Sequence, residues 1–197
     1  MEACRKILVS GLEALNLSLS DDKIEQLLDF IKLIEKWNKA YNLTAIRDRE
    51  AMVRLHLLDS LAIVPFIEGR RVIDIGTGAG LPGIPLAIYF PEIEFVLLDS
   101  NAKKTRFVQQ AILELKLKNV SVCHNRVEDY HPEKSFDIAI TRAFAGLSDI
   151  VELTAHLLNK DMSAGVMPGI RDACPNVSGR CAFSFWLTSL DSPGTPV

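Results

Sequence analysis

The stretch Val72–Gly83 constrains the fold of this chain more than any other part of the sequence. It reads Val-Ile-Asp-Ile-Gly-Thr-Gly-Ala-Gly-Leu-Pro-Gly, a short apolar run that leads into a glycine-rich turn. The apolar run predicts a buried strand, and glycines let a backbone take positive φ and come close to a ligand. Pro82 and Pro85 suit the first turn of a helix, whose opening amides we expect to donate to that ligand. The sequence therefore predicts a strand, a turn and a helix that bind a nucleoside-type cofactor.

Two cofactor classes compete for this turn. The pattern Gly78-Ala-Gly80-Leu-Pro-Gly83 satisfies the dinucleotide fingerprint, which predicts an NAD-dependent oxidoreductase. However, the first glycine after the strand is Gly76, and Asp74 stands two residues before it, as in the first motif of S-adenosylmethionine methyltransferases. A carboxylate at Asp74 attracts the cationic end of that cofactor, directly or through a water, and repels a pyrophosphate. We therefore favour S-adenosylmethionine and keep the dinucleotide as the alternative.

Composition narrows the class of protein. The chain has 197 residues, 24% of them charged, with a net charge of −3, so any contact with RNA needs a local basic patch. It shows no signal-peptide pattern and no apolar stretch long enough for a membrane span, which predicts a cytoplasmic protein without membrane contact. The four cysteines lack the spacing of a zinc site, so we expect neither a metal nor disulfides.

The sequence divides into three parts. Residues 1–66 show helical periodicity and predict a helical amino-terminal subdomain, while residues 67–160 alternate strand and helix patterns. This alternation predicts an α/β, Rossmann-like methyltransferase fold: a mostly parallel sheet with helices on both faces. The predicted strands are Val72–Ile75, Phe95–Asp99, Val120–His124 and Phe136–Arg142, and Leu147–Leu158 is a further predicted helix.

Ligands of such sheets bind beyond the carboxyl ends of the strands, which singles out four residues. Asp99 ends the second strand, 23 residues after Gly76 in the sequence. This separation is typical of a carboxylate that accepts from ribose hydroxyls. Val127 and Glu128 follow the third strand, where they would flank an adenine, although a solvated loop acid explains Glu128 equally well. Arg142 ends the fourth strand, where it would meet a substrate guanine or phosphate; pairing with a neighbouring acid is the alternative.

Taken together, the motifs resemble one family, RsmG or GidB, the bacterial 16S rRNA guanine-N7 methyltransferases. The resemblance covers residues from about 20 to 160, and its most specific pieces are Trp37-Asn-Lys-Ala-Tyr-Asn-Leu-Thr-Ala-Ile-Arg-Asp48, His56-Leu-Leu-Asp-Ser60, Asp74–Pro85, Leu97-Leu-Asp-Ser100, Arg126-Val-Glu128 and Thr141-Arg-Ala143. It implies transfer of a methyl group from S-adenosylmethionine to N7 of a guanine in the 530 loop of 16S rRNA.

The resemblance also implies roles for individual residues. Cofactor contacts are implied at Gly76, Leu81, Val127, Glu128 and Arg142, and Arg142 would lie where cofactor and substrate meet. Together with the residues taken from the pattern itself, the predicted cofactor site comprises Asp74, Gly76, Gly78, Gly80, Leu81, Asp99, Val127, Glu128 and Arg142. Arg142 is also the candidate for substrate positioning.

The implied partner is 16S rRNA or an assembling small subunit, met by a monomer. The candidates for RNA binding are basic residues: Lys39, Arg47, Lys103, Lys104 and Arg106, with Lys36, Arg49 and Arg54 beside them. For any single one, a solvated surface charge is the simpler explanation. One departure from the family lies nearby, since Leu55 stands directly before His56 where the family has a basic residue.

Residues 161–197 depart from the family altogether. Only five of these 37 residues are charged, against 42 of the preceding 160, and no helical or strand period is recognisable. We interpret this end as frameshifted or poorly ordered, which would leave the sheet without a properly formed edge. The alternative function is then a defective relative that binds cofactor or ribosomal RNA without transferring a methyl group.

Overall fold

The computed structural model describes residues 1–142, 152–158, 162–166 and 184–189 of the chain. The first part is helical, as predicted: α1 is Glu2–Ala14 and α2 is Asp21–Tyr41. A third helical rod follows, made of α3 (Arg49–Met52), a π-helical turn (Val53–Leu58) and α4 (Asp59–Leu61), and a 3₁₀ turn at Val64–Phe66 ends this region. No helix among the described residues is both long and apolar enough to cross a membrane.

The second part alternates strands and helices. Its elements are β1 (Arg71–Ile75), α5 (Gly83–Tyr89), β2 (Glu94–Asp99), α6 (Ala102–Glu114), β3 (Val120–His124) and β4 (Ile138–Arg142). Asn101 caps α6, because its side-chain oxygen accepts from the amide of Lys103 at 3.0 Å. Phe136, predicted as the start of the fourth strand, lies outside β4 and forms an isolated parallel bridge with Leu158.

The strands join in one sheet with the order β3-β2-β1-β4-β6-β5. The first four are parallel, which confirms the predicted α/β class, and Asp74 of β1 lies between Leu97 of β2 and Ile140 of β4. The chain steps outward in one direction from β1 through β2 to β3 and then returns to place β4 on the other side of β1. The carboxyl ends of β1 and β4 therefore form the topological switch point, where ligands of open α/β sheets bind.

The two faces of the sheet have separate cores. One face packs against α1, α2, α5 and α6 in a single apolar cluster, within which Phe30 of α2 stacks on Phe107 of α6 at 6.4 Å between ring centroids. The other face, with Ile73, Val96 and Ala139, packs against Val127, Phe136, Leu157 and Leu158. The amino-terminal helices thus share a core with the sheet, and their separation as a subdomain at residue 66 stays a prediction.

The structure corrects the interpretation of the carboxyl-terminal part. Residues Met162–Val166 form β5 and residues Ser184–Ser189 form β6, paired antiparallel with each other. Strand β6 also pairs antiparallel with β4, so the expectation of a missing sheet edge is wrong. A strand can pair antiparallel with a buried neighbour without an alternation of apolar and polar residues in its own sequence, because backbone groups make the hydrogen bonds. The frameshift stays a prediction.

Two further predictions lie partly outside the described residues. Of the helix predicted at Leu147–Leu158, the structure describes residues 152–158, which include a 3₁₀ turn at Ala155–Leu157. Cys4 and Cys123 are free thiols, and Cys174 and Cys181 lie outside the described residues.

Candidate cofactor and substrate site

The glycine-rich turn after β1 is the first component of the site. Gly76, Gly78 and Gly80 all have positive φ, at 69°, 60° and 80°. The amide of Gly76 donates to the carbonyl of Leu98 at 2.8 Å, which ties the turn to the end of β2. A Cβ at Gly78 would find only the carbonyl oxygen of Gly76 nearby, at 3.8 Å, whereas a Cβ at Gly80 would meet Ile84 at 2.5 Å. Gly78 therefore keeps the surface of the turn open, while Gly80 serves the packing beneath it.

Asp74 braces this turn from inside. Its side chain is fully buried, and Oδ2 accepts from the Thr77 hydroxyl at 2.6 Å and from the Gly83 amide at 2.9 Å. Burial raises the pKa of Asp74 to about 6, although both hydrogen bonds favour the ionised form. Among the described residues, Oδ1 has no partner and is the atom left for a water or a cofactor amino group.

The same contact corrects one expectation about α5. The amide of Gly83 is taken by Asp74, and the amide of Ile84 donates to the carbonyl of Gly80 at 2.8 Å. These two amides are therefore not free for a ligand. The helix start serves to hold the turn in place.

A first cavity of about 520 Å³ lies beyond the ends of β1, β2 and β4; we call it the Asp99 cavity. It brings together most of the predicted cofactor residues. Its lining includes Gly76, Asp99, Asn101, Lys104, Val127, Glu128 and Arg142. Val127 is buried and Glu128 is exposed, so an apolar wall and an acceptor lie side by side, as the contact with an adenine requires.

Asp99 fixes the rim of this cavity. Its Oδ2 accepts from the amide of Gly78 and its Oδ1 from the amide of Asn101, both at 2.8 Å. Each carboxylate oxygen keeps a second lone pair, so Asp99 can still accept from two ribose hydroxyls. An open glycine surface, a rim carboxylate and an apolar wall fit the nucleoside part of S-adenosylmethionine.

A second cavity of about 350 Å³ adjoins the first; we call it the His56 cavity. Its walls come from the turn after β1, from the loop after α2 and from the π-helical turn. The lining is Leu43, Thr44, Ile46, Leu55, His56, Asp59, Gly76, Thr77, Gly78, Ala79, Leu81, Lys104 and Arg142. Gly76, Lys104 and Arg142 line both cavities, so the two cavities adjoin at these three residues.

The loop after α2 is held by two buried side chains. Asn38 donates from Nδ2 to the carbonyl of Thr44 at 2.9 Å and accepts the Thr44 amide on Oδ1 at 3.0 Å. The Thr44 hydroxyl lies 3.0 Å from Nε2 of His56, and His56 Nδ1 lies 3.1 Å from the Leu55 carbonyl. Since a carbonyl only accepts, Nδ1 carries the proton and Nε2 accepts from Thr44.

His56 is neutral in this arrangement. Burial lowers its pKa to about 4, and the positive charge of Arg142 acts in the same direction. A neutral ring can accept the Thr44 hydroxyl, which a doubly protonated ring cannot do. His56 thus joins the loop after α2 to the π-helical turn, and both of its ring nitrogens are hydrogen-bonded.

Arg142 faces Asp59 at the junction of the two cavities. Nη1 of Arg142 lies 3.5 Å from Oδ2 of Asp59 and 3.4 Å from the carbonyl of Leu55. The side chains are 20% and 10% exposed, respectively. Burial raises the pKa of Asp59, and the neighbouring guanidinium opposes this shift. The sequence left two alternatives for Arg142, a place where a substrate would enter and a pairing with a neighbouring acid. In the structure Arg142 both lies at the junction and pairs with Asp59.

The remaining predicted residues divide into two groups. Leu81 and Gly78 line the His56 cavity, whereas Asp74 and Gly80 belong to neither of the two described cavities and act beneath the turn. Of the basic candidates, Lys104 lines both cavities and Arg49 pairs with Glu35 at 2.6 Å. The others are exposed: Lys36, Lys39, Arg47, Arg54, Lys103 and Arg106.

Sequence reasoning missed the contributions from outside the sheet. Thr44, His56 and Asp59 line the His56 cavity, although none was a candidate for the site. For Thr44 the signal was the polar run Asn38–Asp48, which contains more hydrogen-bonding side chains than a simple connector needs, and for His56 and Asp59 it was the motif His56-Leu-Leu-Asp-Ser60. The position of the loop in the fold could not be predicted, because no sequence pattern places it over the end of β1.

Comparison with known proteins places the chain in a family. The family described as GidB, rRNA small subunit methyltransferase G, matches residues 23–173. The chain belongs to the GidB family. The match extends beyond residue 160, where the resemblance was expected to stop.

Individual relatives agree with this placement in the GidB family. Ribosomal RNA small subunit methyltransferase G of Hydrogenovibrio crunogenus is 57% identical over 146 residues, covering 74% of this chain and 68% of the relative. The protein of the same name from Ectopseudomonas mendocina is 53% identical over 165 residues, covering 83% and 77%. A solved SAM-dependent methyltransferase from Aquifex aeolicus is 13% identical, with a TM-score of 0.48, over 70% of this chain and 92% of that one.

Membership of the GidB family confirms two predictions from the sequence. The chain is a methyltransferase of the S-adenosylmethionine-dependent class, and its fold is the Rossmann-like fold expected of one. The choice of this cofactor over a dinucleotide is thereby also confirmed.

Proposed function

We propose that this protein transfers a methyl group from S-adenosylmethionine to N7 of a guanine in the 530 loop of 16S rRNA. The observation that carries the proposal is that the two cavities adjoin and share Gly76, Lys104 and Arg142 as lining residues. A cofactor held in the Asp99 cavity and a base held in the His56 cavity would meet at this junction. The names of the family and of its relatives support ribosomal RNA of the small subunit as the substrate.

The chemistry of guanine N7 suits the groups around the junction. N7 carries an in-plane lone pair and no proton, so the base itself attacks the methyl group and no general base is required. His56 has both ring nitrogens occupied, and Asp74 is sealed beneath the turn. S-adenosylmethionine supplies an electrophilic methyl group on a sulfonium. The side chains need only align the two partners, and alignment alone can contribute about 7 to 11 kcal/mol to lowering the barrier.

We assign roles to the lining residues on this basis. Asp99 accepts from the ribose hydroxyls, while Val127 and Glu128 contact the adenine. Arg142 donates to the guanine O6 or to a phosphate and thereby positions the base. Gly76, at the junction, leaves space for the methionine part, and Asp74 holds the turn that carries Gly76 through its contacts with Thr77 and Gly83.

The approach of RNA needs cations around the opening of the site. Lys104 lines both cavities, and Lys103 and Arg106 are exposed on the same helix. Arg47 lies exposed on the loop whose Thr44 and Ile46 line the His56 cavity, and Lys39 is exposed near the end of α2. A protein with a net charge of −3 can bind phosphates through such a local surface. We propose that it does so as a monomer in the cytoplasm, where ribosomal subunits assemble.

Mapping of the modified base tests the proposal. We expect the protein, given S-adenosylmethionine and either 16S rRNA or small subunits from an unmethylated strain, to create one 7-methylguanosine in the 530 loop. Cleavage at the modified base after borohydride and aniline treatment, followed by primer extension, locates it to the nucleotide.

Two outcomes would redirect the proposal. Methylation at another position would change the substrate. Calorimetric binding of S-adenosylmethionine without transfer to either RNA substrate would instead establish a defective relative.

A further inference from the structure

We propose that Asp59 reads the Watson–Crick edge of the substrate base and makes the His56 cavity selective for guanine. This inference rests on the function proposed above and deepens it, because it names the residue that distinguishes guanine from the other bases. Asp59 lines the same cavity as Arg142 and is the acid nearest to that guanidinium among the described ion pairs.

Asp59 has the capacity to bind a ligand. Its side chain is 10% exposed, yet among the described residues its contact is Arg142 alone, at 3.5 Å. A carboxylate offers about four acceptor positions, and a buried polar group without partners is costly. Arg142 is thus the one side-chain donor that the described residues supply to Asp59, and acceptor positions of the carboxylate remain for a ligand. Two N–H groups of a bound base would fill them.

Guanine has the matching pattern of donors. Its Watson–Crick edge presents N1–H and the N2 amino group side by side, which a single carboxylate can accept together. The next atom around the ring is O6, an acceptor, followed by N7. Arg142 has donors beyond Nη1 and can reach O6 from the junction.

The order of residues in the site follows the order of atoms around guanine. Asp59 lines the His56 cavity alone, Arg142 lines both cavities, and Asp99 lines the other. With N1 and N2 at Asp59 and O6 at Arg142, N7 comes next, on the side of the Asp99 cavity where the cofactor binds. The contacts that identify the base thereby also direct N7 towards the methyl donor.

Adenine fails the same test. It presents a lone pair at N1 and an amino group at the position of O6, so it would set an acceptor against Asp59 and a donor against Arg142. The walls of the cavity at Leu43, Ile46 and Leu55 are apolar and accept either purine. Selectivity must then come from the charged pair.

Substitution of one atom group in the substrate tests the inference without altering the protein. Inosine keeps N1–H, O6 and N7 but lacks the N2 amino group. We expect replacement of the target guanosine by inosine, introduced by splinted ligation into 16S rRNA and tested free and in reconstituted subunits, to lower kcat/KM about 10- to 100-fold. Equal kcat/KM values for the two substrates in the wild-type protein would overturn the inference.

Variants of Asp59 complete a double-mutant cycle between protein and base. Asp59→Ala and the isosteric Asp59→Asn should lower kcat/KM for guanosine and bring the ratio between guanosine and inosine close to one. A residue that merely holds Arg142 in place would weaken both substrates equally and keep the wild-type ratio. Retention of that ratio in both variants would overturn the inference, as would a loss confined to the affinity for S-adenosylmethionine.

A matched control and a second readout keep the outcomes apart. Glu94→Gln removes a carboxylate that pairs with Arg71 at 3.2 Å at the opposite ends of β1 and β2, and it should leave the ratio unchanged. If the wild-type protein methylates no guanosine in RNA, the proposed function fails. The preference of Asp59 is then measured as binding of guanosine against inosine 5′-monophosphate to protein saturated with S-adenosylhomocysteine, and equal affinities would overturn it.

Discussion

Burial changes the pH at which Asp74 ionises. The pKa of this carboxyl is about 6 in the folded protein and 3.8 in the unfolded chain, because folding removes all of its water. Between these two values the folded protein holds a proton that the unfolded chain has released. The contribution of Asp74 to the free energy of unfolding is therefore greatest below about pH 4. It falls as the pH rises from about 4 to about 6 and is lost above that.

Asp74→Asn should remove this dependence. We expect the free energy of unfolding of the wild-type protein, relative to the variant, to fall by up to about 3 kcal/mol between pH 4 and pH 7. Urea unfolding of both proteins at intervals of one pH unit measures the difference. Parallel curves would show that the carboxyl of Asp74 does not titrate in this range.

Arg142 should affect both ligands, because it lines both cavities. We expect Arg142→Ala to weaken the binding of S-adenosylmethionine and to lower kcat by about 100-fold, a typical effect of removing one charged donor at a reacting centre. Arg142→Lys should restore part of the cofactor affinity but little of kcat, since an ammonium lacks the planar fork of donors. Calorimetry and single-turnover kinetics separate the two effects. If Arg142→Ala leaves both quantities unchanged, the role assigned to this residue is wrong.

The residues that the sequence identified are those that follow strands of the sheet. Gly76, Asp99 and Arg142 could be placed because parallel strands end at one edge and ligands bind there. Asp59 and His56 could not, since they reach the site from a helical segment whose packing depends on the whole core. The sequence singled out Asp74 as a negative charge that attracts the cofactor. In the structure its carboxylate accepts hydrogen bonds from Thr77 and Gly83, within the turn.

At the scale of elements, Asn38 is one of the two buried side chains that hold the loop after α2. Asn38 is 2% exposed and holds the backbone of Thr44 by two hydrogen bonds. Because Leu43, Thr44 and Ile46 line only the His56 cavity of the two, movement of this loop should disturb the substrate more than the cofactor.

Asn38→Ala should separate these two binding events. We expect about 1 to 3 kcal/mol lower stability from the unpaired backbone groups of Thr44, a higher KM for RNA and an unchanged Kd for S-adenosylmethionine. Asn119→Ala is the matched control, because Asn119 also holds backbone carbonyls, those of Ala87, Phe90 and Ile93, at 2.9 to 3.1 Å, outside the two described cavities. A rise in the KM for RNA of equal size in both variants would contradict a specific role for the loop.

Most elements could be predicted from the sequence, and the exceptions have physical reasons. The strands β1 and β2 follow from mostly apolar runs, β3 from the alternation of Val120 and Val122 with Ser121, and α2 from its stripe of Ile24, Leu27, Leu28, Ile31 and Ile34. The π-helical turn at Val53–Leu58 carries no such signal, since its sequence has the same apolar spacing as an ordinary helix. Strands β5 and β6 were missed because β6 is recruited by the free edge of β4.

At the scale of the whole molecule, β5 and β6 complete one side of the sheet. Truncation after Lys160 would remove both strands and leave the backbone groups of β4 without their antiparallel partner. Since β4 carries Arg142 at its end, loss of β6 should lower the melting temperature and weaken cofactor binding together. An uncovered strand edge also recruits other chains, so we expect concentration-dependent association.

Differential scanning calorimetry and size-exclusion chromatography of the truncated and full-length chains test this expectation. Equal melting temperatures and a monomeric truncated chain would show that β5 and β6 contribute nothing to the sheet. The result also bears on the frameshift hypothesis. If the full-length chain is the more stable one, the fold tolerates a replaced carboxyl-terminal sequence, because backbone pairing alone stabilises the sheet.

The π-helical turn makes the identity of the accepted base sensitive to the geometry of one helical segment. Each residue of an α-helix turns the chain by about 100°. Closing the six residues Val53–Leu58 into an ordinary α-helix, with no residue removed, would rotate Asp59 away from Arg142. With the role proposed for Asp59, a relative that has α-helical geometry over the same residues would keep the glycine-rich turn and its cofactor, yet it would not recognise the same nucleotide.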